Sequence, residues 1–250
     1  MRFNKMGNIE LFNQLAQKKI FSNGRMFSLK TNIYEVTFSD IDRKLNFEKH
    51  DVVLDLGGGC GQISDFIAAK CRQVVLADGA ENALAYARKL LAGHLNVTYR
   101  QFNLTNLPLP FADNYFDKIV CYSVVHYLSN YGEFQKLIQE MVRVVRDGGK
   151  ILIGDIPLED KKKHYLEERR KKRIVHFLYN IRYYFVKFIT HAIYKFRRVD
   201  AGSVKGLSYS RDLIKELVGN VREIRFVFRE QDGRLPLAVS REDLLITKTL

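Results

Sequence analysis

Cysteine and proline are both scarce in this chain, and each scarcity excludes a class of protein. The three cysteines, Cys60, Cys71 and Cys121, form no C-x-x-C pair and lack the histidine neighbours of a zinc site. A disulfide framework and a structural metal are therefore not expected. Four prolines beside 46% hydrophobic residues are typical of a folded domain and not of a disordered chain. We expect a globular protein of a reducing, cytoplasmic compartment.

Long apolar runs are lacking as well. The stretch MRFNKMGNIELFNQLAQKKIF mixes Asn, Glu, Gln and Lys among its apolar residues and contains no signal-peptide core. Further along, the uncharged run IVHFLYNI is far shorter than the roughly 18 apolar residues that cross a bilayer. We therefore expect neither export nor a transmembrane helix.

Positive charge is abundant, but it is concentrated in one part of the chain. The net charge is +13, and residues 161–200 alone hold thirteen Lys and Arg against three acidic residues, a local balance of +10. The rest of the chain therefore carries only +3. The basic character belongs to one segment and predicts a local partner for it.

Apolar runs bounded by Gly or Asp alternate with helical patterns through the middle of the chain. The runs are VVLDL, VVLAD, VTYRQF, KIVCYS and KILIGD, starting at 52, 74, 97, 118 and 150. Helical spacing marks 63–71, 80–93 and 131–149, and two of these segments end at Gly. This alternation predicts an α/β fold, a doubly wound, mostly parallel sheet with helices on both faces.

The flanking regions complete the predicted domain. Helices are predicted at 8–20 and 39–47, a further capped helix at 210–219, and closing strands at 223–230 and 242–248. The result is a seven-stranded sheet with a helical insertion after strand five. We expect a single domain over 1–250, divided into N-terminal helices 1–50, a cofactor-binding core 51–156, the basic insertion 157–207 and a C-terminal unit 208–250.

A glycine-rich bend follows the first predicted strand. Gly57, Gly59 and Gly61 continue from Asp55 as D-x-G-x-G-x-G, so backbone can approach a ligand where any Cβ would intrude. A dinucleotide fingerprint, G-x-G-x-x-G counted from Gly57, needs glycine where Gln62 stands. In an open parallel sheet this first turn lies at the ligand-binding edge.

An acid stands at the end of the second predicted strand. VVLAD ends at Asp78, seventeen residues past Gly61, which places a carboxylate beside the bend. There it can accept hydrogen bonds from two ribose hydroxyls. The bend and the acid together predict a bound nucleoside.

From about residue 50 to residue 155 the sequence resembles the class I S-adenosylmethionine-dependent methyltransferases. VLDLGGGCG is similar to that family's first motif, VVLAD to its second and LPFADNYFDKIVCYSVVHYL to its third and fourth. LIQEMVRVVRDGGKILIGD is similar to the helix and strand that follow. The resemblance implies a Rossmann-like fold, methyltransferase activity and S-adenosylmethionine as cofactor.

The resemblance also implies a cofactor site, composed of Asp55, Gly57, Gly59, Gly61, Asp78, Gly79, Asn103, Leu104, Tyr122 and Ser123. It implies that the glycine bend and the backbone at Tyr122 and Ser123 face the methionine part, and that Asp78 takes the ribose hydroxyls. Asn103 and Leu104 would border the adenine. Asn103 stands where many family members carry Asp, and its amide oxygen can still accept from the adenine amino group.

A methyl sulfonium is already an activated donor, so a base is needed only for a hydroxyl or a protonated amine. His126, three residues past Ser123, is the candidate base; the alternative is a structural histidine that is hydrogen-bonded to backbone. Asp155, at the end of ILIGD, is the second candidate, as a base, as a substrate orienter or as a turn acid before Pro157.

The acceptor is inferred by elimination. The chain contains no [DNS]-P-P-[FWY] after strand four, no Pro-Cys nucleophile and no paired acids for a magnesium site. O-methylation of a small-molecule, glycan or lipid-linked acceptor remains. The alternative is an RNA-binding methyltransferase, or an inactive methyltransferase-like protein that binds nucleic acid.

The basic segment 161–198 bears on this choice. Its apolar residues recur at spacings of three and four from Ile174 to Ala192, which predicts an amphipathic helix. Three interpretations stay open: a helix packed on the domain, a helix bound to an anionic membrane on its inner face, and a nucleic-acid surface. The segment follows strand five at its carboxyl end, where it can flank the acceptor pocket.

Overall fold

The computed structural model describes residues 8–17, 32–171, 206–235 and 237–249. A seven-stranded sheet in the order β3-β2-β1-β4-β5-β7-β6 forms its centre. The strands are β1 (Val52–Leu56), β2 (Gln73–Asp78), β3 (Val97–Gln101), β4 (Phe116–Tyr122), β5 (Val145–Pro157), β6 (Ile224–Glu230) and β7 (Arg241–Lys248).

The direction of β7 distinguishes the two halves of the sheet. β1 pairs in parallel with β2 and β4, and the parallel register continues to β3 and β5. β7 runs antiparallel to both β5 and β6. The predicted α/β class and the seven strands are confirmed, whereas the sheet is mixed. The short 231–240 connection explains the antiparallel pair, since a parallel pair needs a longer crossover.

Helices cover both faces of the sheet. They are α1 (Asn8–Gln17), α2 (Ile33–Leu45), α3 (Gln62–Ala68), α4 (Glu81–Leu90), α5 (Tyr131–Val144), α6 (Glu159–Lys171) and α7 (Arg211–Gly219). Alternate residues of β1 enter opposite cores: Leu54 packs with α5 and α7, and Val53 with α2, α3 and α4. A strand that is covered on both faces reads as a continuous apolar run, which is why VVLDL lacks alternation.

The largest errors among the predicted helix boundaries are the start of α2 and the end of α5. α2 begins at Ile33, six residues before the predicted start, because Asp40 does not cap a helix but pairs inside it with Arg43 and Lys44. α5 ends at Val144, and the following residues already belong to β5. Gly148, predicted as a helix stop, instead has φ +72° within this strand segment, next to a register shift in the β4 pairing.

The insertion after β5 starts with α6, and its two ends are joined. The Tyr209 N–H donates to Pro157 O and the Glu159 N–H donates to Tyr209 O, both at 2.9 Å. The Tyr209 hydroxyl, fully buried, donates to Val125 O at 2.8 Å. Residues 172–205, which include most of the predicted basic amphipathic helix, lie outside the described residues. Within the described residues, no helix has both the length and the apolarity that a membrane crossing requires.

Candidate active site

The glycine bend between β1 and α3 has the backbone geometry that its sequence predicts. Gly57, Gly59 and Gly61 have φ of 79°, 57° and 84°, values that residues with a side chain rarely adopt. A Cβ on Gly57 would lie 2.4 Å from a methyl carbon of Val124. The bend therefore needs glycine both for its conformation and for close packing against the turn after β4.

Asp55 lies beneath this bend and is buried. One carboxylate oxygen accepts the hydroxyl hydrogen of Ser64, the third residue of α3. Burial raises the pKa of Asp55 to about 6, and the nearby Asp78 charge adds to the shift. Asp55 thus ties the strand to the helix and is a carboxyl group that titrates near neutrality.

Asp78 connects β2 to the bend. Its Oδ2 accepts from the Gly59 N–H at 2.9 Å and its Oδ1 from the Ala80 N–H at 2.8 Å. Burial raises its pKa, although these backbone donors oppose the shift. Gly79 follows, and a Cβ there would lie 2.9 Å from the side chain of Ile9. The structure brings the predicted acid and the predicted bend into direct contact.

Asn103 and Leu104 follow β3 at the same edge of the sheet. The Asn103 amide oxygen accepts from the Thr105 N–H at 3.0 Å and closes a turn. Leu104 is half-buried against the core of the α5 face. Their assignment to the adenine remains a prediction.

A cleft opens at the junction of β1 and β4. Tyr122 and Ser123 line it together with Asp55, Gly57, Gly58 and Ile63. Tyr34 and Thr37 of α2 complete its wall. Sequence reasoning missed both α2 residues, because the start of that helix was placed too late in the chain.

His126 lies in a short 3-10 turn, Val125–Tyr127, beyond β4. Its Nδ1 is buried and has no hydrogen-bond partner among the described residues. Burial lowers the pKa of His126 to about 4; Arg241 contributes in the same direction and Asp155 opposes. The imidazole is therefore neutral at physiological pH, the form that can accept a proton. The returning segment covers it, since the Leu207 N–H donates to His126 O at 2.8 Å.

Asp155 stands at the end of β5, beside Ser123. The Ser123 hydroxyl donates to Asp155 Oδ2, and the Arg241 guanidinium donates to Asp155 O at 2.7 Å. Asp155 has φ +62°, a conformation that non-glycine residues seldom adopt outside functional sites and turns. Both predicted base candidates thus lie at the ends of β4 and β5, next to an arginine that sequence reasoning did not select.

A buried network of hydrogen bonds and an ion pair connects this edge of the sheet to α2. Lys44 Nζ donates to Asp243 Oδ2 at 2.7 Å, and Asp243 Oδ1 accepts from the Asp155 N–H at 2.9 Å. Gln231 Nε2 donates to Asp243 Oδ1 and to the Tyr122 hydroxyl oxygen. Because the linked residues lie in different elements, this hydrogen-bond network fixes α2, β7 and the cleft relative to one another.

α1 packs over the end of the site that lies next to Asp78. The Asn82 N–H donates to Asn13 Oδ1 at 2.9 Å, and the ring of Phe12 packs edge-on against Tyr127 at 5.1 Å between centroids. Within the described residues, no group of His, Cys, Asp and Glu is arranged to hold a metal ion. α1 thus contacts the start of α4, the residue after Asp78 and the turn after β4.

Comparison with known proteins agrees with this arrangement. A family model described as a methyltransferase domain matches residues 54–153. Over these residues the chain is similar to a methyltransferase domain. The resemblance to class I S-adenosylmethionine-dependent methyltransferases is thereby confirmed. The matched region extends from β1 through most of β5 and includes the bend, Asp78 and the turn at Ser123.

Curated relatives match this chain over part of its length. The chain is 37% identical over 107 residues to the ubiquinone/menaquinone biosynthesis C-methyltransferase UbiE of Yersinia enterocolitica. The alignment covers 40% of this chain and 41% of that protein, and the Yersinia pestis protein gives the same coverage at 36% identity. The chain thus matches less than half the length of these relatives.

Solved structures share the fold over almost the whole chain. Phosphoethanolamine N-methyltransferase 1 of Haemonchus contortus superimposes with a TM-score of 0.67 at 15% identity, covering 95% of this chain and 47% of that one. The N-methyltransferase NodS of Bradyrhizobium japonicum gives 0.60 at 12% identity, covering 96% and 98%. Both structures contain S-adenosylhomocysteine. At these identities the likeness establishes the methyltransferase fold of this chain.

Proposed function

We propose that this chain is an S-adenosylmethionine-dependent methyltransferase that acts on a small-molecule acceptor. The observation that carries the proposal is the direct contact between Asp78 and the Gly59 N–H within a matched methyltransferase domain. That contact joins the two motifs from which the nucleoside site was predicted.

The residues present fit this cofactor. Gly57 and Gly58, at which a Cβ would collide with Val124 and Asp55, line a cleft with Tyr122 and Ser123, and we assign this cleft to the amino-acid end. Gln62 Oε1, next to the bend, is buried without a partner among the described residues and is available to a ligand donor. Asp78 keeps acceptor capacity for ribose hydroxyls, since a carboxylate offers about four lone-pair sites and the backbone donors of Gly59, Gly79 and Ala80 use no more than three of them.

The bound cofactor supplies an activated methyl group, so the protein's main tasks are to orient the acceptor and to manage its proton. We assign the proton to His126, which is neutral at physiological pH. Asp155, oriented by the Ser123 hydroxyl, is the alternative base or the residue that orients the acceptor. A neutral imidazole or a carboxylate at this position can take the proton of a hydroxyl as the methyl group is transferred, which is why we propose O-methylation.

The names of the relatives support a small acceptor but not a particular acceptor atom. The Yersinia enzyme is named as a C-methyltransferase of quinone biosynthesis, and the Haemonchus enzyme as an N-methyltransferase of phosphoethanolamine. A glycan or lipid-linked acceptor would account for the basic segment as well. We therefore include both classes in the proposal.

The experiment is methyl transfer from labelled S-adenosylmethionine into fractionated small-molecule, lipid, glycan and RNA extracts of the host. Label in the small-molecule, lipid or glycan fraction supports the proposal and identifies the acceptor. Label in RNA alone supports the alternative of an RNA methyltransferase. Unlabelled fractions together with undetectable cofactor binding would contradict a methyltransferase function.

We further propose that residues 161–198 bind anionic membranes. Eight Lys and Arg between 161 and 173 precede a sequence pattern of apolar residues at helical spacing. Each basic residue contributes about 1 kcal/mol near an anionic surface at low salt. Sedimentation with vesicles of graded anionic content tests this, against a K171E/K172E/R173E variant. Equal failure of both proteins to sediment contradicts it, and tight, salt-sensitive RNA binding would favour a nucleic-acid surface.

A further inference from the structure

We propose that Arg241 binds an anionic oxygen of the acceptor, so that the acceptor carries a carboxylate, a phosphate or an ionised hydroxyl close to the atom that is methylated. This inference rests on the proposed function and narrows its substrate class. It is carried by the position of Arg241, by its incomplete pairing and by the charges around it.

The reversed direction of β7 places Arg241 at the ligand edge. In the parallel part of the sheet, ligand-binding residues follow the carboxyl ends of the strands. β7 is antiparallel, so its first residue, Arg241, lies at that same edge and pairs with Pro157 at the end of β5. The guanidinium is therefore held by the sheet and not by a loop.

The pairing of Arg241 differs from that of other arginines in the described part of the chain. Arg211 and Arg234 each direct two nitrogens at one carboxylate, those of Glu242 and Asp232. Arg241 uses Nη1 for the carbonyl oxygen of Asp155, and the same nitrogen lies 3.7 Å from Asp155 Oδ2.

The remaining nitrogens of Arg241, Nε and Nη2, have no hydrogen-bond partner among the described residues, although the side chain is only 18% exposed. A guanidinium carries five donors in a planar fork that matches carboxylate and phosphate oxygens. Arg241 therefore has a fixed orientation and unused donors at the site.

The charges around Arg241 favour an anion on the side of His126. Arg241 lowers the pKa of His126 more than Asp155 raises it, so the positive charge dominates at the imidazole. Gly206, with which the described chain resumes after the basic segment, lies beside His126. Positive charge near a site attracts anionic substrates.

The test starts from the full-length chain saturated with S-adenosylhomocysteine. Affinities are measured for inorganic phosphate, for phosphoethanolamine against ethanolamine, and for 4-hydroxybenzoate against its methyl ester. We expect each anionic probe to bind at least tenfold more tightly than its neutral or cationic counterpart. R241Q should lose about tenfold in phosphate affinity, R241K should lose less, and R225Q, on the exposed edge strand β6, should behave as wild type. The larger of the two affinity ratios identifies the preferred anion, a carboxylate or a phosphate.

A second measurement needs no variant. Phenylglyoxal modifies guanidinium groups, and we expect phosphate to protect Arg241 but not Arg225 in the wild-type protein. Equal modification of Arg241 with and without phosphate overturns the inference, as does unchanged phosphate affinity in a folded R241Q protein. Failure to bind S-adenosylhomocysteine at the outset would instead contradict the proposed function.

Discussion

Ser123 and Asp155 lie side by side at the ends of β4 and β5, both with positive φ, 61° and 62°, and are joined by a hydrogen bond from hydroxyl to carboxylate. Two neighbouring non-glycine residues in this conformation cost of order 1–3 kcal/mol each. The surrounding contacts must hold them there. The strain coincides with the position at which the acceptor and the methyl group are proposed to meet.

The first prediction separates the backbone role of Asp155 from its chemical role. The free energy of unfolding of D155N should lie within about 1 kcal/mol of the wild-type value, since Asn tolerates positive φ and its amide oxygen can still accept the Ser123 hydrogen bond. D155A should lose ~2 kcal/mol because it forfeits both properties. Urea unfolding measures the difference, and equal stability of the two variants would show that the conformation is not strained.

The second prediction concerns Asp78. D78A should weaken binding of S-adenosylmethionine and S-adenosylhomocysteine about tenfold to a hundredfold, because it removes charge-assisted acceptors for the ribose and releases the Gly59 N–H. D212A, which alters an exposed acid on α7, serves as the matched control. Calorimetry checks both, and unchanged affinity in D78A would remove the nucleoside assignment.

The third prediction concerns the proton acceptor. H126Q should lower turnover by ~100-fold while cofactor affinity stays nearly intact. Because the pKa of His126 is lowered to about 4 from its ordinary value of 6.5, kcat/KM should stay level as the pH falls from 7 to about 5 and decline only near 4. Normal turnover in H126Q would transfer the base role to Asp155 or remove the need for a base.

The fourth prediction tests the packing of the glycine bend. G57A should lose ~2–3 kcal/mol, since its Cβ would lie 2.4 Å from Val124 and its φ is +79°. V124A removes the contact but leaves the backbone strain. The G57A change should therefore cost less stability in the V124A protein than in wild type, but it should still cost some. A double-mutant cycle from urea unfolding measures the coupling, and strictly additive losses would contradict the contact.

The fifth prediction uses the raised pKa of Asp55. The folded protein binds a proton on Asp55 up to about pH 6, whereas the unfolded chain releases it near 3.8. The ionised group therefore opposes folding as the pH rises through this window. D55N should stabilise the protein by ~2 kcal/mol at pH 8 and by little at pH 4. Chemical unfolding of both proteins across this pH range measures the difference between their free energies of unfolding. Groups that titrate alike in both proteins cancel from this difference. A difference that does not change with pH would refute the assignment.

The contact between the glycine bend and Asp78 was predictable because these residues lie close together in the sequence. Asp55 and the glycines form a continuous motif, and Asp78 ends the next strand, so strand order alone brings them into contact. The acceptor half was predicted only at His126 and Asp155. Their roles remain to be tested, like the other site assignments.

The residues that sequence reasoning missed carry no local signal. Arg241 reaches the site only because β7 is reversed, and Tyr34 reaches it because α2 starts at Ile33. Gln231 and Asp243 become part of the site through contacts with Tyr122 and Asp155, more than eighty residues away in the sequence. Such long-range pairings depend on the direction and register of strands, which hydrophobic spacing does not specify.

The junction at Leu158 and Tyr209 has a consequence for protein engineering. These residues form a parallel bridge, so the chain that leaves the sheet after β5 returns to within one hydrogen bond of its departure point. The entropic cost of closing such a loop grows only slowly with its length. We therefore expect that the segment between α6 and Gly206 can be shortened, lengthened or exchanged while β5 and the contact of Leu207 with His126 are kept. Chimaeras that graft foreign segments at this junction would vary acceptor choice on an unaltered cofactor platform.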